Sequence, residues 1–110
     1  MYDMMMIRDR IDVCQEEFTN IKKCSKRRKY TKGELSFNAS ELNRTLGGIE
    51  MIIESNIKEY VDKKDSIQGK MFYKLRCTVI DKKISILEEY QYEVTQIKNE
   101  LSNYMQKTPW

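Results

Sequence analysis

The sequence predicts a mainly α domain in which one small β-hairpin interrupts a series of helices. Three observations carry this expectation. Apolar residues recur at spacings of three and four over most of the 110 residues, the mark of helices with one buried face. The period shortens to two over residues 71–79, where Met71, Tyr73, Leu75, Cys77 and Val79 alternate with residues that include Lys74, Arg76 and Thr78, as in a strand with one buried face. Gly47-Gly48 separates a short helical pattern from a longer one, which is the outline of a helix-turn-helix. An all-α helical bundle is the alternative, because Met71, Leu75, Val79 and Ile80 also share a helical stripe.

The first helix follows from Met4, Ile7, Ile11, Cys14, Phe18 and Ile21, with Arg8, Asp9, Arg10, Asp12, Glu16 and Glu17 on the other face. A basic run then fills residues 22–32, with seven Lys or Arg in eleven positions and no acid. A helix C-terminus favours cations, but seven exceed that need. Lys26, Arg27, Arg28 and Lys29 are therefore candidate phosphate contacts, each able to displace a counterion; the alternative is a solvated helix end and loop. Gly33 ends the run, and residues 34–36 suit a short extended piece.

The central stretch, 37–61, starts with Asn38 as a helix cap and Glu41 three residues on, flanked by Phe37 and Leu42 at staple spacing. This predicts one helix over about 39–46. A second follows Gly47-Gly48, with Ile49, Ile53, Ile57 and Tyr60 on one face. Asp65, Ser66 and Gly69 supply turn chemistry, and the hairpin is expected over about 67–79. The last element is a long helix through Ile80, Ile84, Leu87, Tyr90, Val94, Ile97, Leu101 and Tyr104, up to Pro109. A helix of about 25 residues is ~37 Å long, more than a small core covers. Leu87, Tyr90, Val94, Ile97 and Leu101 are thus the candidate homodimer seam; the alternative is a helix folded back on the N-terminal one in a monomeric bundle. The chain divides as one domain, 1–110, with a core over 1–82 and a dimerisation helix over 83–107.

Composition bounds the function. Charged residues make up 34% and apolar residues 40%, ordinary for a globular protein and too apolar for disorder. The net charge of +3 does not by itself demand a polyanionic partner. The opening MYDMMMIRDR is too short for a signal peptide's apolar region and no run approaches a membrane span. A cytoplasmic protein with no membrane partner is expected. Cys14, Cys24 and Cys77 are widely spaced in a chain without His, so buried thiols are expected in place of a zinc site or disulfide. With no His and no glycine-rich phosphate loop, neither an enzyme nor a cofactor or metal is expected.

The order of elements resembles the winged helix-turn-helix transcription regulators of bacteria, archaea and their viruses. Phe37-Asn38-Ala39-Ser40-Glu41-Leu42 is similar to the f-t-x-s-E-L start of that family's second helix. Leu42, Leu46, Gly47, Ile53, Ile57 and Tyr60 fall where its pattern has apolar residues and a Leu-Gly turn. LRCTVIDKKISILEEY, residues 75–90, resembles its exit from the wing into a dimer helix. The sequence departs at Asn43, at Gly48-Ile49 and at Lys83, where the family has a small Ala, an apolar-then-Ser turn and a Gly. The resemblance implies a winged helix-turn-helix fold with a small β-hairpin and a long C-terminal dimerisation helix, and a homodimeric transcription regulator bound to double-stranded DNA. It implies base readers at Ser55, Asn56 and Lys58 and wing contacts to phosphate at Lys70, Lys74 and Arg76. Glu50, Glu54, Glu59 and Asp62 on the recognition helix limit base readout. They favour a second expectation: a small helical interaction protein, viral or plasmid-borne, that binds a host protein.

Overall fold

Alternating intervals of three and four between apolar residues drive three helices to pack side by side. A computed structural model describes residues 2–27 and 31–107. Helix α1 spans Met4–Arg27, α2 spans Lys32–Ser66 and α3 spans Tyr73–Lys107. Consecutive helices run antiparallel, and all three meet in pairs. The bundle is a rod of 61 × 19 × 16 Å with a radius of gyration of 18.1 Å, against about 13 Å for a compact domain of this length. The expected alternative, an all-α bundle, is the fold.

The winged helix-turn-helix expectation is overturned: no strand occurs among the described residues, and no glycine turn breaks the central helix. α2 runs unbroken through Gly47 and Gly48. Its buried positions explain why: Leu35, Ala39, Leu42, Leu46, Ile49, Ile53, Asn56 and Tyr60 keep a four-three alternation across the glycine pair. Each glycine costs a helix about 1 kcal/mol relative to alanine. Burying a Leu or Ile contributes about 1.5–3 kcal/mol, so the flanking Leu46 and Ile49 outweigh both glycines. The helix also starts earlier than expected. Thr31 caps it, accepting from the Glu34 N–H at 3.2 Å, while residues 34–36 are helical and not extended. Asn38 lies inside the helix, and Phe37 is 65% exposed with no staple to make.

The expected hairpin over 67–79 is a turn followed by the start of α3. The α2 end is closed by Ile67 N–H to Lys63 C=O at 3.2 Å, and Arg76 N–H donates to Phe72 C=O at 2.9 Å as α3 begins. The period-two face does not hold together, since Cys77 is buried while Met71, Leu75 and Val79 are exposed. Tyr73, Cys77, Ile80, Ile84 and Leu87 instead continue the alternation of the long terminal helix. A lone hairpin has little stability, whereas this stripe packs along α2. The proposed division at 82 and 83 falls within α3.

The core is one thin column. Ile7, Ile11, Cys14, Phe18 and Ile21 come from α1, and Leu87, Val94, Ile97 and Leu101 from α3, against the α2 stripe. Phe18 meets Tyr104 edge-on at 6.0 Å between ring centres. Lys98 pairs with Glu50 at 2.7 Å between α3 and α2. Arg8 of α1 bonds Asp12 one turn on and Glu93 of α3, and its guanidinium lies 5.3 Å over the Tyr90 ring. The hydrogen bonds to Glu93 and Asp12 push the Arg8 pKa up from its ordinary value.

Candidate interaction surface at the open end of the bundle

α1 is shorter than its two neighbours, and Asn56 marks where its coverage stops. The Asn56 side chain is fully buried. Its Oδ1 accepts from the Tyr2 N–H at 3.1 Å and its Nδ2 donates to the Tyr2 C=O at 2.9 Å. Both polar groups of the amide are thus spent on the backbone just ahead of α1, which fixes the start of that helix against α2. Past Asn56, α2 continues ten residues to Ser66, about 15 Å of helix. α3 returns alongside it, and here the bundle has two helices.

The seat that α1 occupies continues into this open end. Side chains seven residues apart share a helix face. On α3, stepping back from Glu93 reaches Ile86 and Val79, and stepping back from Tyr90 reaches Lys83 and Arg76. On α2, Asn56 is followed on the same face by Tyr60, Lys63 and Ile67. Between them lies a groove of about 280 Å³ that includes Tyr60, Ile67, Leu75 and Val79, with Lys63, Arg76 and Lys83 at its rim. Leu75 is 65% exposed and Val79 48%. Lys83 stands 5.6 Å over the Tyr60 ring. On the other side of the hairpin Lys64 bonds Asp81 at 2.9 Å, and that bond raises the Lys64 pKa. Tyr73 is raised too, first by its hydrogen bond with Cys77.

Charge is distributed in blocks along the rod. Residues 58–83 hold eight Lys or Arg and four Asp or Glu. Residues 3–17, 34–54 and 84–100 hold thirteen acids and four bases. Of the basic run, Lys22, Lys23, Lys26 and Lys32 lie at the far end from the open hairpin.

These positions distribute the sequence-derived candidates. Lys26 is exposed near the end of α1, Arg27 is its last residue, and Arg28 and Lys29 lie outside the described residues. Lys70, Lys74 and Arg76 are exposed at the opposite end, on a turn and the first turn of α3 and not on a wing. Ser55 and Lys58 are exposed on α2, but Asn56, with its amide bound to Tyr2, is not placed to read a base edge. Leu87, Val94, Ile97 and Leu101 are buried, and Tyr90 packs against the core. All five serve contacts within one chain, because α2 is as long as α3 and covers the stripe. Sequence reasoning missed the groove itself. Its signal was the combination of apolar Leu75, Val79 and Ile86 with a first helix eleven residues shorter than the other two.

The thiols are free. Burial, helped by nearby Glu17, pushes the Cys14 thiol up to about 11, which suits a core residue and not a nucleophile. Among the described residues no group of three or more metal-ligating side chains occurs, and no helix is long and apolar enough to cross a membrane. Comparison with protein-family models, with curated proteins and with solved structures gave no match.

Proposed function

We propose that the protein is a helical protein–protein interaction module that docks a partner on the open end of the α2–α3 hairpin. The observation that carries this reading is the apolar groove in line with α1, with Leu75 and Val79 exposed on its wall. Single exposed apolar residues are ordinary on a protein surface. A contiguous apolar strip with a charged rim, at the position a third helix fills elsewhere in the same bundle, is the kind of patch that partners cover. Site-specific photocrosslinking tests it. A photoreactive residue at position 79 should give a discrete protein adduct that Leu75→Asp removes, while the same probe at exposed Ser36 gives none. Equal adducts from both positions, or none from position 79, would sink the reading.

Double-stranded DNA is the second reading, favoured by the basic clusters at both ends of the rod. No helix-turn-helix carries it now, so phosphate contacts would have to supply the affinity. Binding to random duplex that falls steeply with salt, with a slope reduced by about two on Lys74→Ala plus Arg76→Ala, would put this reading first.

A further inference from the structure

The open end has a charge pattern that selects its occupant. In the covered part of the bundle α3 offers Glu93 to Arg8 of α1. Beside it Tyr90 lies under the Arg8 guanidinium. One and two heptads before Tyr90, with Ile86 and Val79 at the corresponding positions before Glu93, that face offers Lys83 and Arg76, and α2 adds Lys63 across the groove. Among the described residues none of these three takes part in an ion pair, while Lys64, on the other face, is matched to Asp81. The seat therefore keeps its apolar floor and reverses its rim. Resting on the interaction-module reading, we infer that the occupant is an amphipathic α-helix of a partner protein, about three turns long, with acidic residues on both sides of its apolar stripe.

A helix fits because the groove is the space between two antiparallel helices that α1 fills further along, and neighbouring helix axes lie 8–10 Å apart. Among the described residues there is no strand edge to pair an extended segment. The uncovered length of about 15 Å sets the number of turns. The acid flanks follow from the three basic rim residues. A second copy of this chain is a poor occupant. Docked end to end, it would set two hairpin ends of net positive charge against each other, and α1, although acidic over residues 3–17, has its apolar stripe of Ile7, Ile11, Cys14 and Phe18 already buried in its own bundle.

The test uses the full chain and two helical peptides, stapled on their outer face. They share one leucine stripe at i, i+3, i+4 and i+7 and differ only in flanks of Glu or of Lys. The Glu-flanked peptide should bind at least tenfold more tightly in low salt, and should shift the amide signals of residues 60–67 and 75–83. Arg76→Glu with Lys83→Glu should invert the order of affinities, whereas Lys22→Glu with Lys23→Glu, which removes equal charge from the far end, should leave it unchanged. Equal affinities with shifts in the groove would overturn the acidic partner and leave the interaction module standing. If neither peptide shifts the groove, both fall. Sedimentation showing dimers whose groove signals shift with chain concentration would make the occupant a second copy and overturn the inference. Shifts at residues 70–76 on phosphatidylcholine–phosphatidylserine vesicles, with none from either peptide, would overturn both in favour of a lipid surface.

Discussion

The covered part of the bundle and its open end are built from the same two helices with the same spacing, yet they expose their apolar residues differently. Along α3, Leu87, Val94, Ile97 and Leu101 are buried, whereas Leu75, Val79 and Ile86 are exposed. What separates the two sets is the third helix. α1 supplies Phe18, Ile11 and Ile7 to the one region and stops before the other. The core stripe itself stays against α2 in both regions, Cys77 and Ile80 being buried at the open end. What α1 covers in one region and leaves open in the other is the face beside that stripe, where Ile86 and Val79 stand one and two heptads before Glu93. The largest expected effect tests this within one helix. Leu101→Ala should cost about 2–5 kcal/mol, the range for emptying a packed leucine site. Leu75→Ala should stay within about 0.5 kcal/mol, as surface substitutions do. Denaturant unfolding of both variants reads the difference, and a large loss at Leu75 would mean that the open end is core in solution.

The boundary between the two regions gives the next effect. Asn56 holds the chain ahead of α1 by two hydrogen bonds to Tyr2. Asn56→Ala leaves that backbone N–H and C=O without their protein partner and should cost about 1–3 kcal/mol. The loss should also appear locally. Hydrogen exchange at the start of α1 should quicken while amides near Leu101 keep most of their order of protection. Uniform loss of protection would show that Asn56 supports the whole bundle and does not merely set where α1 begins.

Much of the covered part was legible in the sequence, and the open end was not. The α1 stripe and the terminal-helix stripe were each readable from spacing, because packing on both flanks enforces the alternation strictly. Residues 71–79 misled because only one helix packs there. Exposed Leu75 and Val79 then line up with Tyr73 and Cys77 to imitate the buried face of a strand, whereas the set that packs is the sparser Cys77 and Ile80 with partly buried Tyr73. Gly47-Gly48 misled because local propensity was weighed before the Leu35-to-Tyr60 alternation that crosses it. Thr31 and Glu34 have capping-box spacing, but Thr31 stands in a run notable for its charge and Glu34 in the stretch expected to be extended. In the sequence Asn56 resembles a surface reader, because a buried amide is recognisable only when its partner, here the distant Tyr2 backbone, is known. The basic rim residues Arg76 and Lys83 were visible as charges; that they face one groove with Lys63 depends on where α1 ends.

The smallest effects concern glycines, and they should carry opposite signs in the two regions. A Cβ added at Gly47 or Gly48 would meet nothing within 4 Å, and both positions are helical. Alanine at either should therefore stabilise by about 0.5–1 kcal/mol, since it restricts the unfolded chain and removes the cost of glycine in a helix. Gly69, in the turn at the open end, has φ +81. Space around it is equally open, but an L side chain in that conformation is strained by about 1–2 kcal/mol, so Gly69→Ala should destabilise. Midpoints of urea unfolding for the three single variants measure the signs directly. If Gly47→Ala and Gly48→Ala both destabilised, the central helix would be broken or kinked at the pair in solution. The continuous stripe from Leu35 to Tyr60, and with it the alignment of α1 with the groove, would then have to be given up.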